Sequence, residues 1–160
     1  MDKNPSLERI AEFIVRAKKN TYVKGGDDFS GRSIIPGFNQ LDYQEGDLYY
    51  RDNYCGFSPF SGQETVYVQN KPVWTMSYYG RILAQDMEKE AIAKLYRFLR
   101  QALNEVPLEH PYRGPMDYGK GDYRYTNEIN GMFTYFYGRE GILVNGEKIY
   151  ELRYFGGCVE

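Results

Sequence analysis

Tyr123-Arg124-Tyr125-Thr126-Asn127-Glu128-Ile129-Asn130-Gly131-Met132-Phe133-Thr134-Tyr135-Phe136-Tyr137, followed by Ile142-Leu143-Val144-Asn145-Gly146-Glu147-Lys148-Ile149-Tyr150, decides the fold. Runs rich in aromatic and β-branched residues are broken twice by Asn-Gly. That dipeptide suits a two-residue hairpin turn, whose central residues both need positive φ. The reading gives strands at 123–129, 132–137, 142–144 and 147–155, paired antiparallel. Upstream, Asp47–Tyr54, Thr65–Gln69 and Val73–Tyr79 have the same Tyr, Val, Thr and Trp bias. Asn70-Lys71-Pro72 reads as a hairpin connection between the last two. Within Val73–Tyr79, Trp74, Met76 and Tyr78 alternate with Val73, Thr75, Ser77 and Tyr79, so one set faces the core.

Two helices interrupt the strands. Leu7, Ile10, Ala11, Ile14 and Val15 recur at helical spacing after Asn4-Pro5, an N-cap followed by proline at N1, and the pattern stops near Asn20. A second stripe, Ile92, Leu95, Leu99, Leu103 and Val106, predicts a helix beginning near Leu83 or Asp86 and ended by Pro107. The segments Thr21–Gly46 and Leu108–Gly121 carry Gly, Pro and Asp turn signals and read as irregular. No internal repeat is legible. The expected fold is a single α+β domain over residues 1–160: one curved antiparallel sheet of six or seven strands with two helices packed on it.

The 160 residues carry 20 Lys plus Arg against 22 Asp plus Glu, a net charge of −2, which argues against a nucleic-acid partner. No run reaches the roughly 18 apolar residues of a membrane span. The N-terminus shows no apolar leader, and two cysteines make no disulfide framework; a reduced cytoplasmic protein is expected. Cofactors and metals are not expected, because no phosphate loop and no zinc or calcium ligand spacing is present. Cys55 and His110 are far apart in sequence, with no local nucleophile turn to support a catalytic pair.

The aromatic content is the main functional signal: 17 Tyr, 9 Phe and 1 Trp, 17% of the chain. Tyr joins an apolar body to a hydroxyl that wants a partner, so a Tyr-rich inner surface suits a concave pocket for a planar ligand. The expected site residues are Tyr50, Tyr54, Trp74 and Tyr78 as walls, Gln63 and Glu64 for hydrogen bonds, and Arg51 and Arg113 for ligand charge. Loops around Phe29 and Arg113 are expected to close over it. Glu64 follows three apolar anchors in Phe57–Gln63 and is expected to be partly buried and paired.

Gly56-Phe57, Gly62-Gln63-Glu64-Thr65-Val66, Val73-Trp74-Thr75-Met76-Ser77-Tyr78-Tyr79-Gly80 and Asp47-Leu48-Tyr49-Tyr50-Arg51-Asp52 resemble an uncharacterised bacterial family, a domain of unknown function. Members resembling it occur alone or behind Xre-type helix-turn-helix domains. The resemblance runs from about Phe13 to Tyr154. It brings no catalytic residue with it, and association with a regulator implies ligand sensing.

The expected function is therefore non-catalytic binding of a small planar, anionic, nucleotide-like molecule by a sensor or sequestering protein. One alternative is a small enzyme using Glu64 with Asp47 or Asp52 as an acid–base pair and Tyr hydroxyls as orienters. The other is a homodimeric interaction module joined through the Tyr-rich sheet face.

Overall fold

The structure is a computed structural model that describes residues 5–25 and 31–160. Its strands form one antiparallel sheet in the order β1-β2-β3-β4-β5-β9-β8-β7-β6. The strands are β1 Gly31–Arg32, β2 Asn39–Glu45, β3 Leu48–Gly56, β4 Phe60–Val68, β5 Lys71–Ile82, β6 Asp117–Lys120, β7 Tyr123–Met132, β8 Tyr135–Val144 and β9 Glu147–Cys158. The helices are α1 Leu7–Asn20, the single turn α2 Tyr22–Gly25, and α3 Lys89–Asn104. The α+β class matches the expectation. The described residues form nine strands, where six or seven were expected.

The differences have local causes. In β2, Asn39, Gln40 and Asp42 are poor strand formers, but pairing with β3 and burial of Leu41 override propensity. Strand β6 arises within the expected 108–121 loop through its ladder to β7. β4 begins at Phe60 and not Thr65, and β8 is continuous across Gly138 and Gly141, where glycines hid the strand pattern. The β4–β5 turn is Gln69-Asn70, both at positive φ, so Lys71 and Pro72 belong to β5. Asn145-Gly146 makes its expected turn, with φ of 51° and 84°. Asn130-Gly131 does not: β7 runs through it to Met132, and Phe133-Thr134 makes the turn, because Phe133 packs on Trp74 and Tyr112. The cap of α1 is Ser6, whose hydroxyl accepts from the Arg9 amide at 3.2 Å; Asn4 lies outside the described residues. α3 is shorter than expected at both ends.

One face of the sheet carries the helices and the core; the other is open. Inward residues alternate along each strand: Leu48, Tyr50 and Asp52 on β3, Glu64, Val66 and Val68 on β4, Trp74, Met76 and Tyr78 on β5. Ile10, Phe13, Ile14 and Ala17 of α1 and Leu95, Phe98, Leu99 and Ala102 of α3 close the core over them. Among the described residues no helix is long and apolar enough to cross a membrane.

The sheet consists of two meanders, β1–β5 and β6–β9, joined across the antiparallel pair β5–β9. Tyr78 lies directly opposite Tyr154 in that pair and marks an approximate two-fold axis. At one constant spacing, Phe60, Gly62, Glu64, Val66 and Val68 of β4 correspond to Phe136, Gly138, Glu140, Ile142 and Val144 of β8. Trp74, Met76, Tyr78 and Gly80 of β5 correspond likewise to Tyr150, Leu152, Tyr154 and Gly156 of β9. By their register on these strands, Tyr50, Asp52 and Gly56 of β3 correspond to Tyr125, Asn127 and Gly131 of β7. The internal repeat that the sequence hid is thus a duplicated half-sheet.

Candidate functional site

The strand registers put Asp52 and Glu64 side by side on the inner face, since the two residues pair directly between β3 and β4. Two carboxylates so placed repel. Lys18 answers one of them. It follows Ile10 and Ile14 at helical spacing on the apolar face of α1, so the helix directs an ammonium into the core. Its Nζ donates to Glu64 Oε2 at 2.5 Å and to the Tyr112 carbonyl at 2.7 Å.

Among the described residues Asp52 makes no ion pair; the two buried cations are held by Glu64 and Glu140. The Tyr78 hydroxyl donates to its Oδ1 at 2.8 Å. To reach it from β5, the Tyr78 phenol crosses β4 above Gly62, where a Cβ would overlap the ring. Burial, then the charge of Glu64, pushes the Asp52 carboxyl up to about 7, against the pull of the Tyr78 hydrogen bond, Lys18 and Arg113. Burial likewise lowers the Lys18 ammonium, opposed chiefly by Glu64, and raises the Tyr50 and Tyr78 phenols.

The second half repeats the arrangement with other residues. Arg113 grips Glu140 with both nitrogens, at 3.0 and 2.6 Å. The Tyr125 and Tyr150 hydroxyls donate to the same carboxylate at 2.6 and 3.0 Å. The Tyr154 hydroxyl crosses Gly138 to donate to Asn127 Oδ1 at 2.8 Å. Lys18 with Glu64 and Arg113 with Glu140 make two neutral pairs, so among the described residues an ionised Asp52 would be the excess buried charge in the cluster.

Above Asp52 lies a cavity of about 140 Å³. Its floor is Lys18, Tyr50, Asp52, Glu64, Tyr78 and Arg113, and its walls and rim include Tyr54, Phe57, Phe60, Tyr96 and Arg100. Arg100 makes no ion pair among the described residues. Apolar cavities of about 150 Å³ take benzene, so the space suits one planar ring.

Of the residues expected from sequence, Tyr50, Tyr54, Glu64, Tyr78 and Arg113 line this cavity. Glu64 is buried and paired as expected. Three do not line it. Arg51 points to the opposite face, against Asp42 and Tyr49. Gln63, next to inward Glu64, is exposed on that same face. Trp74 is completely buried between sheet and core, with its ring on Phe133 and Phe136. Arg113 is committed to Glu140 and not free for ligand charge. Phe29 lies outside the described residues. Asp47 is exposed and pairs with Arg9, so of the two proposed partners of Glu64 only Asp52 is adjacent. Sequence reasoning missed Lys18, Tyr96 and Arg100; a lysine in the apolar stripe of α1 was a readable signal for the first. Cys55 and Cys158 are free thiols. Among the described residues no group of three or more His, Cys, Asp or Glu gathers as a metal site.

The fold and cluster define a duplicated α+β half-sheet domain with a buried charge network beneath an aromatic cavity. The chain belongs to the family described as domain of unknown function DUF5680, whose model matches residues 52–159, including Asp52, Glu64, Tyr78, Arg113 and Glu140. Searches of curated proteins and of solved structures find no match.

Proposed function

We propose that the protein binds a small planar molecule, without transforming it, in the cavity above Asp52. The observation that carries this reading is the open, ring-sized space walled by Tyr54, Phe57, Phe60 and Tyr96 beside Arg100, whose guanidinium makes no ion pair among the described residues. One ring fills the cavity, and an anionic substituent, as in a nucleotide-like ligand, meets Arg100 at the rim. In a bacterial or phage cytoplasm, alone or behind an Xre-type helix-turn-helix domain, such a protein acts as a sensor or a sequestering protein.

The test is to purify the protein natively, denature it, and identify the released compounds by mass spectrometry. A stoichiometric planar compound, reduced in Arg100→Gln and Phe57→Ala, is the expected result. Release of nothing, together with no response of the cavity residues to aromatic probes, refutes the reading.

One observation favours a second reading, acid–base catalysis: a cavity-facing carboxyl that keeps its proton near neutral pH is suited to act as a general acid. Covalent change of the released compound by the wild type and not by Asp52→Asn would select it. A homodimer is supported by the open sheet face, where Tyr79, Tyr135, Tyr137 and Phe155 are exposed. A monomeric mass by sedimentation at all concentrations refutes the homodimer.

A further inference from the structure

The two halves share a scaffold but not its occupancy. In the second half, the place corresponding to the cavity is filled by the chain itself, at Tyr112-Arg113-Gly114. The Tyr112 ring lies flat on Phe136, with centroids 3.7 Å apart and planes 8° from parallel. The Gly114 carbonyl accepts a hydrogen bond from Asn127 Nδ2 at 2.9 Å, and the Gly114 amide donates to the Tyr125 hydroxyl at 2.9 Å. A Cβ on Gly114 would overlap Tyr125, so this segment is closely fitted to its half.

Each receiving group has a counterpart in the first half. Phe60 corresponds to Phe136. It stacks on Tyr150 at 17°, as Phe136 stacks on Trp74 at 21°, and it meets Tyr78 at 61°, as Phe136 meets Tyr154 at 51°. Asp52 corresponds to Asn127: each accepts a tyrosine hydroxyl on Oδ1 at 2.8 Å. The second terminal atom of Asn127 is an N–H donor occupied by a carbonyl. The second oxygen of Asp52 has no hydrogen-bond partner among the described residues, and Asp52 lines the cavity.

We infer that the ligand of the first half takes the place that Tyr112–Gly114 takes in the second: a planar ring stacked on Phe60, with a carbonyl or equivalent acceptor facing the Asp52 carboxyl. The inference rests on the binding reading above and names the ligand chemistry. An acceptor at that point needs the carboxyl in its neutral form, with an O–H in the position of the Asn127 amide N–H. The groups facing Asp52 agree with this. Glu64 of β4 disfavours a second negative charge, Lys18 of α1 is held by Glu64, and Arg113 is held by Glu140. Tyr50 of β3 and Tyr78 of β5 remain neutral phenols, both raised. A ligand presenting an ammonium would demand the opposite protonation state.

The experiment titrates acetophenone, which carries a carbonyl acceptor and no donor, and benzylamine into the full chain at pH 5.5 and pH 8.5, reading side-chain NMR shifts of Tyr54, Phe57 and Tyr96. Acetophenone is expected to bind, weakening several-fold or more from pH 5.5 to pH 8.5, because apparent affinity scales with the fraction of protein in the competent state and the Asp52 carboxyl is raised into this range. Asp52→Asn is expected to fold, as Asn127 does in the other half, and to hold the low-pH affinity at both pH values. Benzylamine favoured over acetophenone, or acetophenone binding that ignores pH, overturns this pose while leaving the pocket reading intact. No response to either probe removes both.

Discussion

Replacing Asp52 by Asn should stabilise the protein, and the gain should grow with pH. The cause is the excess buried charge. The Asp52 carboxyl stands at 3.8 when unperturbed and at about 7 in the fold. A raised carboxyl favours the folded state at low pH and loses that advantage as pH rises from the unfolded value through the folded one. A shift of this size corresponds to a few kcal/mol in all, more than half of which falls between pH 5 and pH 8. Asn removes the titration and keeps the geometry. Asn127 already accepts the Tyr154 hydroxyl at the distance at which Asp52 accepts that of Tyr78. Urea denaturation of both proteins at pH 5, 6.5 and 8 measures the effect, with the m-value as a check that the unfolding reaction is unchanged. The stability difference should widen by about 2–3 kcal/mol in favour of Asn from pH 5 to pH 8. A difference constant with pH, or a variant less stable than wild type at pH 8, would refute the charge assignment.

Lys18→Met leaves Glu64 buried without its cation and should cost about 3–5 kcal/mol in urea denaturation at pH 7, with much of that restored by adding Glu64→Gln. Gly62→Ala and Gly138→Ala each put a methyl group into a tyrosine ring anchored at its far end, and each should lower the urea midpoint by an amount equivalent to about 1–3 kcal/mol. Trp74→Ala should cost about 3–5 kcal/mol by cavity formation, the signature of a core residue and not of a ligand wall. Tyr112→Phe removes a buried hydroxyl that has no hydrogen-bond partner among the described residues, so thermal denaturation should show no loss of stability.

Much of the candidate site was legible in the strand pattern, because inward residues recur at every second position. Tyr50, Tyr54, Glu64 and Tyr78 fall on that alternation, and each faces the helices. Arg51 and Gln63 suit a ligand by their chemistry, but the same alternation turns both to the open face. Trp74 does face inward. Phe133 and Phe136, distant in sequence, cover it, and no local pattern reports that contact.

Local sequence determined the α+β class, both main helices and the Asn145-Gly146 hairpin, since these depend on near neighbours: 3.6-residue or two-residue periodicity and turn residues with positive φ. Tertiary structure decided the rest. The duplication is not legible in the sequence because its matches are single inward residues, such as Phe60 with Phe136, Glu64 with Glu140 and Tyr78 with Tyr154, separated by outward residues that differ, such as Gln63 and Arg139. The two halves also solve one problem with different cations, Lys18 from a helix and Arg113 from a loop. Only the folded sheet puts Asp52 beside Glu64 and closes one half with Tyr112 while leaving the other half open, because burial and charge balance are properties of neighbours in space and not of neighbours in the chain.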